Sequence, residues 1–159
     1  MHEARVAHLD LKPANVILRG EVGATVPVLV DFGLAGRRVR PGCGSPHYGA
    51  PEVWTSVTTG EPYAADVYAL ACLVFELLTH HVLVDGETVS DVISTHVSGG
   101  AEAQVRARLG RDRRTSGLAD ILGAALRTNA AKRPPIGRLR AGIAAIAPDV
   151  ARMSWPISV

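Results

Sequence analysis

The sequence predicts an α+β fold that is mainly α, in which a small β-hairpin layer lies on a helical bundle. Three observations support this prediction. Short runs rich in β-branched residues occupy the first third of the chain, a loop rich in glycine and proline follows, and helical periodicity dominates the remainder. With 159 residues, of which 47% are hydrophobic, the chain is long enough for one globular domain with a real core.

The first third contains two candidate strands, Val16–Arg19 and Val26–Asp31, which are apolar and rich in valine. Gly20–Thr25 separates them, and its composition indicates the longer turn of a hairpin. Arg37–Pro51 is rich in glycine and proline, so we expect a loop between the hairpin and the helices.

Five helices are expected after this loop. Ala64–Thr79 is apolar nearly all round, which is typical of a central buried helix. The other four are Thr88–Val97, Ala101–Leu109, Gly117–Arg127 and Arg138–Ile146. Pro148 is expected to end the last of them, because proline removes a helical hydrogen bond.

Composition and charge argue against several classes of protein. The net charge of +2, with 20% charged residues, gives no electrostatic case for nucleic acid or a membrane surface. Two cysteines do not make a disulfide scaffold, and no N-terminal run looks like a signal peptide. Ala64–Leu83 carries Asp66 and Glu76 and falls short of the apolar length that a membrane span needs. We therefore expect a cytoplasmic protein without a nucleic-acid partner or a membrane span.

One basic cluster stands out late in the chain. Arg111, Arg113 and Arg114 surround Asp112 on a segment that is expected to be a loop. Such a cluster is either a solvated loop or a docking patch, and the sequence leaves both readings open.

The stretch His8–Leu18, HLDLKPANVIL, places three polar groups on one short loop ahead of a strand. Asp10 comes two residues before Lys12 and five before Asn15, so the loop offers a base, a cation and an oxygen suited to a metal. Phosphoryl transfer requires such a set. Aspartate, asparagine and proline are also common turn formers, so this stretch by itself favours the functional reading only slightly over a capped turn.

Two further motifs follow in order. Asp31–Gly33 reads DFG directly after the second strand, and Gly44–Glu52 reads GSPHYGAPE. Several ordered motifs at sensible spacing rarely match by chance. With them, the chain resembles the protein kinase superfamily, and most closely the bacterial Ser/Thr kinases of eukaryotic type.

The resemblance covers most of the chain, as the C-terminal lobe of that family. AADVYALACLVFELLT is similar to the central helix of the family with its inward aspartate, here Asp66. NAAKRP resembles the late motif whose arginine, here Arg133, pairs with the glutamate of Ala-Pro-Glu, here Glu52. The resemblance implies a partial kinase domain at residues 1–147 and a C-terminal tail at residues 148–159.

The resemblance also implies roles for the loop residues. Asp10 would be the catalytic base, and Lys12 would neutralise the transferring phosphoryl group and favour Ser/Thr over Tyr substrates. Asn15 and Asp31 would hold Mg²⁺ beside ATP. Ser45 would tether the substrate-binding loop to the catalytic loop of a kinase that acts on protein Ser/Thr hydroxyls.

The remaining implied positions contact the nucleotide or support the site. Ile17 matches the apolar position beneath the adenine, and Lys12, Asn15 and Asp31 complete the ATP-contacting set. The implied internal supports are His8, Phe32, Glu52, Asp66 and Arg133.

One departure from the family pattern concerns regulation. Leu9 stands where many kinases have an arginine that meets a phosphate on the activation loop. Asp31–Glu52 contains a single Ser or Thr, Ser45, which already has an implied structural role. We therefore expect a kinase that activation-loop phosphorylation does not switch on.

The larger departure concerns the nucleotide clamp. Only seven residues precede His8, so the Gly-rich loop, the lysine on the N-terminal sheet and the glutamate on the mobile helix are not among these residues. The helix that precedes the catalytic loop in the family is also missing, which leaves an apolar side of Ala64–Thr79 for a partner to cover. We expect the isolated chain to be inactive because the Gly-rich loop and the ATP-clamping lysine are absent, and we expect a separate chain or an N-terminal lobe to cover this face. The alternative is a non-catalytic, kinase-derived binding or regulatory module.

Overall fold

A computed structural model describes residues 1–21, 23–55 and 62–159. Within these residues the elements are β1 (Val16–Arg19), β2 (Val26–Leu29), α1 (Pro51–Trp54), α2 (Pro62–Thr79), α3 (Val89–Val97), α4 (Gly100–Leu109), α5 (Ser116–Ala125) and α6 (Ile136–Val150). Short 3-10 turns lie at His2–Ala4, Pro13–Asn15 and Ala130–Lys132. The structure confirms the prediction of a mainly helical α+β fold with a small sheet at its start.

The sheet is a two-stranded antiparallel hairpin in which Val16 lies opposite Leu29 and Arg19 opposite Val26. β2 ends two residues before the predicted end of its strand. The physical reason is the backbone of Asp31, whose φ of 60° lies in the left-handed region and is incompatible with an extended strand. The predicted turn between the strands includes Val22, which lies outside the described residues.

The core forms around α2, which is the central buried helix that the sequence predicts. Tyr68 and Phe75 of α2 are fully buried, and α2 contacts both α5 and α6. Leu122 of α5 and Leu139 of α6 are buried in the same cluster. The loop that leads into the hairpin is attached to α2, because the N–H groups of His8 and Leu9 donate to the carboxylate of Asp66.

The expectation that this run is too short for a membrane span is corrected, because by length and composition alone α2 is apolar enough to cross a membrane, and it is the one such helix among the described residues. However, 56% of its apolar window is buried inside the protein. Burial of that kind is what the core helix of a globular bundle shows.

The expectation that Pro148 ends the last helix is wrong, because α6 continues to Val150. Proline lacks one N–H group, but its fixed φ is compatible with a helix, and the hydrogen bonds resume beyond it. The N–H of Ala151 donates to the carbonyl of Ala147 at 2.9 Å. Val150, in this last turn, packs against the hydrophobic core, and such packing stabilises the helix beyond the proline.

Part of the predicted C-terminal tail returns to the core. The N–H of Ile157 donates to the carbonyl of Leu78 at 2.8 Å, and the Ile157 side chain is buried. The indole N–H of Trp155 donates to the carbonyl of Leu77 at 3.1 Å. The tail is therefore packed on the end of α2, while the division of the chain at residue 147 stays a prediction.

A buried polar pair joins α2 to α3. The hydroxyl of Tyr68 lies 2.7 Å from Nδ1 of His96, and neither side chain is exposed. Nε2 of His96 has no hydrogen-bond partner among the described residues. Burial, together with the nearby His47, lowers the pKa of His96 from 6.5 to about 4.

This pair gives a testable pH dependence of stability. The pKa of His96 is lower in the folded chain than in the unfolded chain, so the unfolded chain takes up the extra proton as the pH falls. The stabilisation is therefore complete above pH 6.5 and is lost towards pH 4, by on the order of 2–3 kcal/mol. Urea unfolding across this range measures the loss.

The matched variant is His96→Asn, whose amide can still bond the Tyr68 hydroxyl and does not titrate. Between pH 6.5 and pH 4, the unfolding free energy of this variant should fall by less than that of the parent chain, and the difference should equal the loss assigned to His96. Parallel curves for the two proteins would contradict the prediction.

Candidate active site

Asp66 of α2 fixes the backbone of the loop that carries Asp10. Its carboxylate accepts hydrogen bonds from the backbone N–H groups of His8 and Leu9, each at 2.8 Å. Nε2 of His2 lies 2.8 Å from the same carboxylate. Leu9 has a φ of 65°, a left-handed conformation that a leucine adopts only when its surroundings impose it. The buried carboxylate therefore sets the position of the residue that follows, Asp10.

His8 joins this loop to the exit of the hairpin. Its ring is fully buried, Nε2 lies 3.0 Å from the carbonyl of Val30, and the ring of Phe32 packs against it at 5.1 Å between centroids. Next to it, Ala7 and Gly36 exchange two backbone hydrogen bonds of 3.0 Å. The loop that carries Asp10 and the DFG segment are thus held side by side.

Asp10, Lys12, Asn15 and Ser45 form one hydrogen-bonded cluster. Nζ of Lys12 donates to Oδ2 of Asp10 at 2.7 Å and to Oγ of Ser45 at 3.0 Å. The Ser45 hydroxyl donates to Oδ1 of Asp10 at 2.8 Å. Nδ2 of Asn15 donates to the backbone carbonyl of Asp10 at 2.8 Å and to Oδ2 at 3.2 Å. The loop at Ser45 is therefore tied to the Asp10 loop across 35 residues of sequence.

This cluster keeps Asp10 ionised. Burial acts to raise the pKa of Asp10, but hydrogen bonds from Lys12, Ser45 and Asn15 and the charge of Lys12 outweigh it, so the pKa falls below 3.8. Each carboxylate oxygen has two lone pairs, so Asp10 can accept a further hydrogen bond. Lys12 also keeps one N–H beyond the two that it donates here.

Asn15 and Asp31 lie at the open end of the hairpin and supply the oxygens suited to a metal. The N–H of Val30, next to Asp31, donates to the carbonyl of Asn15 at 3.0 Å. Oδ1 of Asn15 accepts no hydrogen bond from a described residue, and the Asp31 carboxylate is exposed and bonded only to the N–H of Gly33, at 3.2 Å. Hard, uncommitted oxygens of this kind fit Mg²⁺ when phosphates and waters complete its shell.

The described residues contain no cluster of three or more histidine, cysteine, aspartate or glutamate side chains able to hold a metal by themselves. A magnesium ion here would therefore need ligands from a bound nucleotide. This agrees with the usual behaviour of Mg²⁺, which takes one or two protein oxygens and the phosphates of its substrate.

The hairpin presents apolar side chains to solvent beside these oxygens. Ile17 is 47% exposed and Val26 61%, and the register puts both on one face of the hairpin; Leu18, 67% exposed, lies on the opposite face, and Phe32, 51% exposed, follows the hairpin. Exposed large apolar groups in one region indicate a surface that binds another group. The position implied to lie beneath an adenine, Ile17, belongs to this surface.

Glu52 and Arg133 form a buried ion pair beneath the loop that contains Ser45. Nη1 and Nη2 of Arg133 donate to the two carboxylate oxygens of Glu52 at 2.7 and 2.8 Å. Arg133 also donates to the backbone carbonyls of Arg127, Thr128 and Ala64, and its guanidinium lies 4.8 Å from the ring centroid of Tyr68. The pair links residues that are 81 apart in sequence and holds the start of α1 on the bundle.

The structure adds two supports that the sequence reasoning missed. His2 contacts Asp66, and no pattern in the sequence singles it out. Tyr48 donates a short hydrogen bond to Glu76, which anchors the Ser45 loop on α2. Glu76 is a lone glutamate in an apolar helix, and this pattern could have indicated a hydrogen-bond partner, because a half-buried carboxylate needs one.

Comparison with known proteins supplies independent findings. A family model described as protein kinase domain matches residues 1–141. The serine/threonine-protein kinase PkaA of Streptomyces coelicolor is 32% identical over an alignment of 162 positions, gaps included, that covers 94% of this chain and 27% of that protein. The serine/threonine-protein kinase polo of Drosophila melanogaster is 30% identical over 145 residues, which cover 87% of this chain and 23% of that protein.

A plant relative matches a shorter part. The SNF1-related protein kinase catalytic subunit alpha KIN12 of Arabidopsis thaliana is 36% identical over 98 residues, which cover 57% of this chain and 18% of that protein. The chain thus spans about a quarter or less of the length of these relatives, at 27%, 23% and 18%.

Proposed function

The chain belongs to the protein kinase domain family, and from this premise we propose that it is the C-terminal lobe of a bacterial Ser/Thr protein kinase. In this proposal it acts in the cytoplasm and transfers the γ-phosphoryl group of ATP to Ser/Thr hydroxyls of protein substrates. The observation that supports it best is the hydrogen-bonded cluster of Asp10, Lys12 and Ser45, in which Asn15 donates to the backbone carbonyl of Asp10.

The residues of the cluster have complementary tasks in this reaction. Asp10, ionised at neutral pH because its pKa is lowered, accepts a hydrogen bond from the substrate hydroxyl and takes its proton as the oxygen attacks. Lys12 directs its remaining N–H at the phosphoryl oxygens and offsets their charge. Asn15 and Asp31 would hold Mg²⁺, which supplies charge neutralisation on the phosphates when bound.

The clamp for ATP is the part that these residues do not supply. The chain contains two lysines; Lys12 is bonded to Asp10 and Ser45, and Lys132 lies in the 3-10 turn after α5. We propose that an N-terminal lobe, encoded upstream or supplied by a separate chain, provides the Gly-rich loop and the lysine. That lobe would also cover the exposed apolar surface of the hairpin. Catalysis by positioning needs the nucleotide clamp as well as the Asp10 cluster. The 159 residues alone should therefore show negligible turnover of ATP.

The test compares two proteins in Mg·ATP turnover on a generic Ser/Thr peptide. One is the 159-residue chain. The other carries, ahead of Met1, either the residues encoded in frame upstream or the N-terminal lobe of a competent family member. We expect turnover from the second protein only. Robust turnover by the short chain would overturn the proposal that it lacks the ATP clamp. A completed protein that binds Mg·ATP but shows no turnover would overturn the proposal that the chain is part of a kinase.

The exposed apolar surface also favours a second candidate, a non-catalytic module that binds a partner through the hairpin. In such a module the Asp10 cluster would stabilise the fold and would not take part in phosphoryl transfer. Sequencing the DNA upstream of Met1 discriminates between the two: an open frame encoding a Gly-rich loop and a lysine-bearing strand favours the enzyme, and stop codons favour the module.

Ser45 is expected to serve structure and substrate binding rather than to carry a regulatory phosphate. Ser45→Ala removes the hydroxyl that bonds both Asp10 and Lys12, so we expect a loss of about 1 kcal/mol in the free energy of unfolding. Urea unfolding measures this loss, with Ser90→Ala on the exposed face of α3 as the control. Intact-mass analysis of active protein should find Ser45 unmodified, and stoichiometric phosphate there would contradict the prediction.

A further inference from the structure

Two adjoining cavities lie between the segment that joins α4 to α5 and the residues after α6. The larger, of about 600 Å³, is lined by residues that include Arg108, Arg111, Arg114, Met153 and Ile157. The smaller, of about 280 Å³, is lined by Arg113, Arg114, Asp149, Arg152 and Met153. Because they share Arg114 and Met153, we treat them as one surface, the arginine cleft. No residue of the candidate active site lines either cavity.

The cleft carries an excess of positive charge. Five arginine side chains line it against two aspartate side chains. Asp112 pairs with Arg114 at 2.8 Å, and Asp149 pairs with Arg152 at 3.4 Å. Neither the Arg111 nor the Arg113 side chain donates to any residue in the described ranges. Uncompensated guanidinium groups in a concave site attract an anionic partner.

Arg108 gives the cleft a cation that is already positioned. Its Nη1 donates to the backbone carbonyls of Val82 and Leu83 at 3.2 and 3.3 Å, and its guanidinium lies 4.6 Å from the ring centroid of Phe75. The Nε and Nη2 groups donate to no residue that the structure describes. Arg108 is therefore fixed by the core while keeping donors for a ligand, unlike a solvated surface arginine.

The floor of the cleft is apolar. Ile157 is buried at 5% exposure, and Met153 lines both cavities beside it. An isolated phosphate ion would leave most of 600 Å³ unfilled and would not use this floor. The occupant that matches both features carries several negative charges and at least one apolar side chain.

We propose that the arginine cleft docks an acidic peptide segment of a protein partner. Carboxylates of the peptide bond to Arg108, Arg111 and Arg113, and an apolar side chain packs on Met153 and Ile157. The inference goes beyond the proposed function and does not depend on phosphoryl transfer. It decides between the two readings of the basic cluster in favour of the docking patch.

The test measures fluorescence anisotropy of a labelled peptide, Glu-Glu-Leu-Glu-Glu-Leu, with the chain and without ATP. We expect saturable binding that Arg111→Gln with Arg113→Gln weakens roughly tenfold, since each exposed charge pair contributes a factor of a few. The matched control is Arg138→Gln with Arg140→Gln, two exposed arginines of α6 outside the cleft, which should leave binding unchanged. Added salt should weaken binding to the parent chain.

Four outcomes would overturn the proposal. They are no saturable binding, equal binding of a peptide with lysine in place of glutamate, full displacement by millimolar inorganic phosphate, and tighter, cleft-dependent binding of an RNA oligonucleotide. Because ATP is absent and the variants lie outside the Asp10 cluster, none of these results bears on the proposed kinase reaction.

Discussion

Arg133→Ala is expected to lower the free energy of unfolding by about 3–5 kcal/mol, because it leaves the buried Glu52 carboxylate without its partner. The same change removes hydrogen bonds to three backbone carbonyls and the contact with the ring of Tyr68. A loss of this size approaches the whole stability of a small domain. Urea unfolding followed by circular dichroism measures it.

Two further variants make this prediction sharp. Arg140→Ala, on the exposed face of α6, should change stability by no more than about 0.5 kcal/mol. Arg133→Met with Glu52→Leu removes both charges together and should recover much of the loss, since an apolar pair carries no desolvation cost. A loss below about 1 kcal/mol for Arg133→Ala would show that the pair does not hold the loop.

Asp10→Asn is expected to reduce kcat of the chain completed by an N-terminal lobe by roughly 10²–10⁴-fold. Asparagine keeps the size of the side chain and can accept hydrogen bonds, but it cannot take the proton of the substrate hydroxyl. KM for ATP should change little, because Asp10 is not among the groups proposed to hold the nucleotide. Steady-state kinetics on the completed protein give both parameters.

Asp120→Asn is the matched control, because Asp120 is an exposed carboxylate of α5 whose one ion-pair partner among the described residues is Arg106, at the surface. Its kcat should equal that of the parent. The pH profile is a second readout: the pKa of Asp10 is lowered below 3.8, so protonation of this group should cause almost no loss of kcat/KM above about pH 5. Retained turnover in Asp10→Asn would remove Asp10 from the chemistry.

Much of the fold could be predicted from the sequence because it rests on local patterns. The apolar run of α2 predicts a buried helix within two residues of its observed start, and the valine-rich runs predict both strands of the hairpin. Thr88 and Asp91 form a capping box that sets the start of α3. These patterns extend over a few residues, so they can be recognised without knowing how the rest of the chain folds.

The same local reasoning was insufficient at Pro148 and at Asp31. A proline stop signal is a local penalty, and packing of Val150 on the core outweighs it. The left-handed backbone of Asp31 shortens β2, and the attachment of the neighbouring Val30 carbonyl to His8 is a contact across 22 residues. Helix and strand propensities cannot predict either effect, because both depend on where distant segments of the chain lie.

By itself the sequence determined the order of the motifs, and with it the family and the side chains nominated for the site. Only the tertiary structure decided how those side chains are held: Asp66 fixes the backbone before Asp10, Ser45 bonds Asp10, and Glu52 meets Arg133. It also decided that the arginines of the α4–α5 segment face residues after α6. The physical reason is range: propensity and periodicity act over one or two turns, whereas these contacts form only once the whole chain packs around α2.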